Sequence, residues 1–263
     1  MAVDAADVQL AKRLATEAGH ELLALRDKLG FADAKLLRTE GDLRGNEIIM
    51  AGLAEARPDD AILSEEGRGE HGRDGSSRLR ADRVWIIDPL DGTREYGEPG
   101  REDWAVHVAL WERGRLAVGV VALPARGEVL HSAEPPRPTE HTGRVRIAVS
   151  RTRPPAFLPG VVADLDAQPV SMGSAGAKIA AVVLGQMDAY IHAGGQYEWD
   201  SAAPVAVARA TGLHASRIDG TDLVYNRPNP RLDDIVVCRP ELAAPIVESI
   251  ARHRAGSTVD RKK

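Results

Sequence analysis

"WIIDPLDGTREYGEPG", residues 85–100, passes from an apolar run to two acids, a proline and a Gly-Thr step within a few residues. Val84 to Ile87 read as a buried strand, and Asp88 closes it. Proline fixes its own φ and removes a backbone donor, so a sharp turn is expected after Asp88 at Pro89. That turn would set the carboxylates of Asp88 and Asp91 on one side, with the carbonyl of Leu90 between them. Gly92 has no side chain to obstruct a ligand, and amides from Gly92 onward make an anion site if a helix or nest begins there. Hard oxygen ligands beside amide donors suit magnesium together with a phosphate. Asp-Pro and Asp-Gly are also common turn formers, so the box alone leaves both readings open.

Two other acidic stretches bear on the choice. "LSEEG" ends a short strand in Glu65 and Glu66, and "YEWDSAA" sets Asp200 just ahead of a helix, where a plain N-cap is the alternative. Were Glu65, Asp88, Asp91 and Asp200 to converge, each pair at ~5 Å would repel by roughly 3 kcal/mol at an effective dielectric near 20. Such a cluster requires cations.

The rest of the chain frames these pieces. At 263 residues and 28.2 kDa it can bury a substantial core, as one large domain or two closely joined halves. Hydrophobic residues at 43% and charged residues at 28% fit a globular protein that is not membrane-embedded. A net charge of −5 argues against a general nucleic-acid binder. Arginine outnumbers lysine 28 to six, consistent with codon bias. A single cysteine, Cys238, excludes an internal disulfide, fits a reducing compartment and reads as a buried structural thiol. No stretch approaches 18 apolar residues and the first residues lack a signal-peptide core, which leads us to expect a soluble, cytoplasmic protein with no membrane partner.

Leu10, Leu14, Ala18, Leu22, Leu25 and Leu29 recur at helical spacing, with Asp4 or Asp7 as cap. A second helix is expected from about Leu43 to Ala56, stopped by Pro58. Strands follow at Ala61–Leu63, Val84–Ile87, Trp104–Leu110, Leu116–Leu123 and Glu128–Ser132, with a mobile surface loop over 67–82. Residues 134–143, "EPPRPTEHTG", read as a hinge between an N-terminal half, 1–135, and a C-terminal half, 140–263. Beyond it the chain alternates: strand Val145–Val149, a helix ending over Ala163–Ala167, helix Lys178–Leu184, strand Asp188–His192, helix Ser201–Ala210, strand Ile235–Val237. A last helix within "PELAAPIVESIARH" should be shortened or kinked by Pro245. The pattern predicts a layered α/β protein.

The set "LSEEG … WIIDPLDGTREY … EWDSAA" resembles the inositol monophosphatase superfamily of lithium-sensitive, magnesium-dependent phosphatases, in order and over nearly the whole chain. The resemblance implies an α/β/α/β/α sandwich of the inositol monophosphatase / fructose-1,6-bisphosphatase type, with the site where the halves meet. It implies Glu65, Asp88, the Leu90 carbonyl, Asp91 and Asp200 as ligands for two or three Mg2+, with Li+ inhibitory. Thr93 matches the threonine that orients the attacking water, and Gly92 with Thr93 supplies phosphate contacts. Asp42, in "RTEGD" after Thr39, matches the acid that completes the catalytic dyad, although the residues around it depart from the family's usual form. The implied chemistry is metal-assisted hydrolysis without a covalent nucleophile, usually in a homodimer.

Within the superfamily, "DGTREYGEPG" is closer to the D-G-T-K-E-F of the CysQ-type nucleotidases than to the D-G-T-T-N-F of inositol phosphatases. "IAVSRTRPP" resembles that branch's S-R-S-H step, and "SMGSAGAKIAAVVLGQMDAY" its G-S-x-x-x-K segment, placing Gly173, Ser174 and Lys178 near substrate. The glycine-rich element of inositol phosphatases is missing after "HSAE". The branch removes the 3′-phosphate of 3′-phosphoadenosine 5′-phosphate, a by-product of sulfate assimilation, so a nucleoside bisphosphate is the expected substrate. Such a substrate needs a second anion site, for which Lys178, Ser174 and a helix start near Ala175 are candidates. Tyr197, Tyr225 and Asn226 either line an adenine pocket or pack their loops; His107, Trp85 and Trp104 are expected in the core. The alternatives are an inositol-1-phosphate or fructose-1,6-bisphosphate phosphatase, a promiscuous enzyme, and a non-catalytic regulator.

Overall fold

The computed structural model describes residues 4–67, 77–137 and 142–259. Helix α1, Ala5–Leu29, is capped by the Asp4 carboxylate, which accepts from the Ala6 amide. Helix α2 runs Ala34–Ala56, nine residues longer at its start than its sequence suggests. Asp33 caps it, accepting from the amides of Lys35 and Leu36. Two glycines in the polar run hid that first half, and both are there for packing. A Cβ on Gly41 would lie 2.7 Å from the Tyr96 ring, and one on Gly45 would lie 2.9 Å from the Pro89 carbonyl oxygen.

The first sheet has the order β1-β2-β3-β4-β5: Ala61–Ser64, Arg83–Asp91, Ala105–Glu112, Arg115–Leu123 and Glu128–His131. β1 and β2 are parallel and the other pairs antiparallel. A four-residue helix α3, Thr93–Tyr96, follows β2. The second sheet has the order β7-β6-β8-β10-β9: β6 Arg146–Ser150, β7 Gln168–Met172, β8 Ala189–Ala193, β9 His214–Ser216 and β10 Asp234–Cys238. Its helices are α4 Leu158–Asp164, α5 Ala175–Val183, α6 Ala202–Ala210 and α7 Ala243–Val259. Pro245 falls in the first turn of α7, where its missing N–H costs nothing, so it sets the start of the helix. The proposed hinge lies partly outside the described residues, as do 68–76 of the proposed loop. Residues Ser77–Arg80, also assigned to that loop, form a 3-10 turn with Arg78 buried.

Alternation along the strands builds the layers. On β2, Trp85 and Ile87 face α1 and α2 with Leu14, Leu22, Ile49 and Leu53. Val84 and Ile86 face the other way, onto Ile179, Val182 and Val205 of α5 and α6, which meet Tyr190, Ile235 and Val237 of the second sheet from behind. Ile147, Val149, Ile191 and Val236 on the far face of that sheet pack with Val161, Ile246 and Ile250 of α4 and α7. The result is the α/β/α/β/α sandwich. Each fully buried Leu, Ile or Val stabilises it by about 1.5–3 kcal/mol. Trp85, Trp104 and Cys238 are core residues, and burial pushes the Cys238 thiol up to about 12.

Candidate active site

The chain does not turn at Pro89. β2 continues to Asp91 through an irregularity in its pairing with β3 between Asp88 and Asp91. A bulge tolerates proline and re-aims the side chains around it. The turn falls at Gly92, at φ 86°, where a Cβ would press within 3.0 Å of the Ser174 Cβ and 3.1 Å of the Asp103 carbonyl. α3 starts at Thr93 directly after it.

Asp88, Asp91 and Asp200 converge: each offers a carboxylate oxygen, and the three lie within 4.8 Å of one another. Glu65, at the end of β1, lines the same cleft, of ≈ 240 Å³, with Leu90, Gly92 and Thr93. Among the described residues none of the three aspartates forms an ion pair with Arg or Lys; the one titratable partner is His107, whose Nε2 lies 3.4 Å from Asp91 Oδ2. Burial, followed by the charges of Glu65, Asp91 and Asp200, holds the Asp88 carboxyl well above the usual range. Burial and Asp91 push Asp200 up to about 8. Concentrated carboxylates with only the charge of Lys178 nearby to offset them fit divalent cations, which would restore ionisation.

Each of the three carboxylates is held by hydrogen bonds from its surroundings. The Leu90 amide donates to Asp88 Oδ1 at 3.1 Å. Asp91 accepts from the Ser174 hydroxyl at 2.5 Å and from the amides of Ala175 and Gly176, at 3.1 and 2.5 Å, at the start of α5. Asp200 is not a helix cap: Ser201 holds that position, and Asp200 Oδ2 accepts from the Tyr197 amide at 2.7 Å.

Asp42 reaches the site from α2. The two glycines beside it let that helix lie on the β2–α3 corner, and Thr93 Oγ1 stands 3.3 Å from Asp42 Oδ1 and 3.0 Å from the Leu90 carbonyl. Burial and the charges of Glu66 and Glu65 push the Asp42 carboxyl up to about 7, while the Thr93 hydrogen bond opposes the rise.

The far end of the cleft carries Gly173, Ser174, Lys178, Arg151 and Arg153. Gly173 donates its amide to Asp103 Oδ2, and Ser174 caps α5 by accepting from the Ala177 amide. Lys178 is buried, with its ammonium donated to the carbonyls of Gly173 (3.0 Å) and Ser174; burial pushes it down to about 8. Arg151 is paired with Glu95 at 2.7 Å and Glu98 at 2.5 Å. Arg153, exposed at the rim, forms no ion pair among the described residues. The "SRTR" step held this cation, but among 28 arginines nothing marked it. Tyr225 and Asn226 are loop packing. The Tyr225 hydroxyl meets Ser201 Oγ at 3.1 Å, and Asn226 binds the buried Arg78 and Glu198. Tyr197 stacks on Trp199 with ring centroids 4.6 Å apart and stays 37% exposed beside Asp200.

The sequence profile of the Inositol monophosphatase family matches residues 2–254. A Mycobacterium tuberculosis protein named 3′-phosphoadenosine 5′-phosphate phosphatase is 49% identical over 244 residues, covering 89% of this chain and 90% of its own length. The Escherichia coli 3′(2′),5′-bisphosphate nucleotidase CysQ is 34% identical over 199 residues, 71% of this chain and 78% of that one. In fold, the chain matches the crystal structure of inositol monophosphatase-II from Staphylococcus aureus with a TM-score of 0.78 at 22% identity, over 94% and 97% of the two chains.

Proposed function

The chain belongs to the inositol monophosphatase family, and on that premise we propose that it is a magnesium-dependent phosphatase that hydrolyses 3′-phosphoadenosine 5′-phosphate to AMP and phosphate. The carrying observation is the convergence of Asp88, Asp91 and Asp200, buried and with no ion pair to Arg or Lys among the described residues, at one end of a cleft whose other rim bears Arg153, likewise without an ion pair among them. The 49% identical relative bears a name with that same substrate.

Glu65, Asp88, the Leu90 carbonyl, Asp91 and Asp200 would hold the cations. Bound magnesium supplies charge neutralisation for the phosphoryl oxygens and a lowered pKa for water. The protein's own groups do the rest. Thr93 has one hydroxyl proton and two acceptors, Asp42 and the Leu90 carbonyl. By passing that proton to Asp42, its oxygen can orient a water and take a proton from it, so the pair serves as general base. Gly92 and Thr93 bring their backbone to the cleft where the ester phosphate would sit, with the Ser174 and Gly173 segment lining the other side. Lys178 buttresses that segment, because its ammonium is committed to two carbonyls. The second phosphate of the substrate is then assigned to Arg153, and the base to the exposed face of Tyr197.

We assign the enzyme to the cytoplasm, as a homodimer inhibited by lithium; no helix among the described residues is long and apolar enough to cross a membrane. The test is phosphate release with magnesium from 3′-phosphoadenosine 5′-phosphate, inositol-1-phosphate and fructose-1,6-bisphosphate in parallel. A preference of about a hundredfold for the nucleotide, ~2.7 kcal/mol in the transition state, is expected. Equal rates would make the enzyme a generalist, and silence on all three would leave a regulator.

A further inference from the structure

Arg153 stands at the rim of the cleft, just after β6, where its backbone amide donates to Ser150 Oγ at 3.1 Å. Close to it, β8 ends in a turn through Gly194 and Gly195, whose flanks His192 and Gln196 line the same cleft. Both glycines have positive φ, 97° and 74°. Three bonds hold the turn. His192 Nε2 donates to the Gly194 carbonyl at 2.7 Å, the Gly194 amide donates to the Asp233 carbonyl at 2.5 Å, and the Gln196 carbonyl accepts from the Leu232 amide at 2.9 Å. Burial pushes His192 down to about 4, so the ring is neutral and adds no charge to this wall. The two glycines differ in what surrounds them. A Cβ on Gly194 would meet nothing within 4 Å, whereas a Cβ on Gly195 would lie 2.8 Å from Arg153 Nη1. That is well inside the ~3.5–4.0 Å at which non-bonded atoms rest. Backbone conformation explains glycine at both positions; the guanidinium is a second reason at Gly195 alone.

An exposed arginine side chain has many rotamers open to it, so it would meet a new methyl group by swinging away rather than by unfolding the turn. We propose that Gly195 is a positioning residue for specificity: its bare Cα seats the Arg153 guanidinium at the cleft, and thereby sets the preference for a substrate with a second phosphate over one with a single phosphate. A guanidinium fixed in place offers its forked donors to a phosphate, and a displaced one leaves only a diffuse charge at the rim. This inference rests on the reading that Arg153 takes the second phosphate.

The experiment compares kcat/KM for 3′-phosphoadenosine 5′-phosphate and for adenosine 3′-monophosphate at saturating Mg2+, in the wild type, Arg153→Gln, Gly195→Ala, Gly195→Asn and Gly194→Ala. The monophosphate presents the same ester without the 5′-phosphate. Loss of the guanidinium in Arg153→Gln should lower the bisphosphate-to-monophosphate ratio about 10–100-fold, the worth of charged hydrogen bonds to one phosphate. Gly195→Ala should lower it about three- to tenfold, chiefly through KM for the bisphosphate, with the monophosphate within about twofold of the wild type. Gly194→Ala bears a backbone cost of the same kind without touching Arg153, so its ratio should stay within about twofold. A wild-type ratio in Gly195→Ala overturns the seat. An equal fall in Gly194→Ala does so too, by placing the effect in the shape of the turn. Should Gly195→Ala fail to fold, Gly195→Asn decides on the same criterion, since asparagine tolerates left-handed backbone and still carries the Cβ. An unchanged ratio in Arg153→Gln takes Arg153 off the second phosphate, and the inference falls with that assignment. Should the wild type hydrolyse neither ester, the phosphatase reading fails instead, and crystals of Gly195→Ala decide the seat: a guanidinium in its wild-type position overturns it, and a displaced one supports it.

Discussion

At its first residue, β2 sets Arg83 among Asp7, Asp60 and Glu112, at 3.0, 2.9 and 3.2 Å; at its last, it sets Asp91 beside Asp88 and Asp200. The first knot is closed by Arg57 on Asp7 at 2.8 Å and by the Trp85 indole on Asp60 at 2.9 Å, so it ties α1, α2, β2 and β3 together. Both ends bury carboxylates next to carboxylates. One supplies the counter-charge from the chain, and the other offers carboxylate oxygens that could hold a cation. Buried charge with partners is architecture, whereas buried charge without them is an unfilled valence for a cation.

The sharpest way to break this contrast is Asp200→Asn, which keeps an oxygen for the Tyr197 amide. Phosphate release should fall by roughly 10³-fold or more, and the metal-free protein should melt no lower than the wild type, since the repulsion from Asp91 has been removed. A large drop in melting temperature would mean that the aspartate serves the fold. Asp42→Asn comes next, with kcat lower by about 10²–10³-fold at unchanged Mg2+ affinity; a weakened affinity would place Asp42 among the ligands.

Asp7→Asn tests the other end. It should destabilise by about 2 kcal/mol in denaturant melts, below the 3–5 kcal/mol of a fully buried pair because Arg57 and Arg83 are partly solvated. Its kcat should match the wild type. The smallest effect concerns pH. Carboxyls raised by folding, Asp42 to about 7 and Asp200 to about 8, stabilise in their protonated form, and that contribution is lost as pH rises through those values. With EDTA, the melting temperature should therefore fall by about 3–6 °C between pH 6 and 8.5. Saturating Mg2+ should abolish the fall.

The acids at both ends of β2 were visible in sequence, but only one end could be read. Asp88 and Asp91 are three residues apart in a box with glycine and proline, so their chemistry is local. Asp7, Arg57, Arg83 and Glu112 are scattered, and nothing in their spacing joins them. β7 and β9 were missed because they are the edges of the second sheet: β7 is largely exposed, with Pro169 inside it, and β9 has three residues. The start of α2 was missed because Gly41 and Gly45 oppose helix locally and favour it only through contacts with β2 and α3. Lys178 stood out as one of six lysines, yet rarity does not say which way an ammonium points. His107 was correctly expected in the core.

The helix layer between the two sheets carries a consequence for biosynthesis. Val84, Ile86, Ala105, Ala109, Val121 and Leu123 are complete on the nascent chain once β5 has formed, but the surface that covers them, α5 and α6, is made later. The end of α6 lies ~80 residues further on, and at ~5–20 residues per second a ribosome needs roughly 4–16 s to reach it. During that interval half of the molecule presents a greasy sheet face to its surroundings. The Asp88–Asp91 end of the strand meanwhile lacks Asp200, so the three carboxylates come together only once the chain has been made as far as the start of α6.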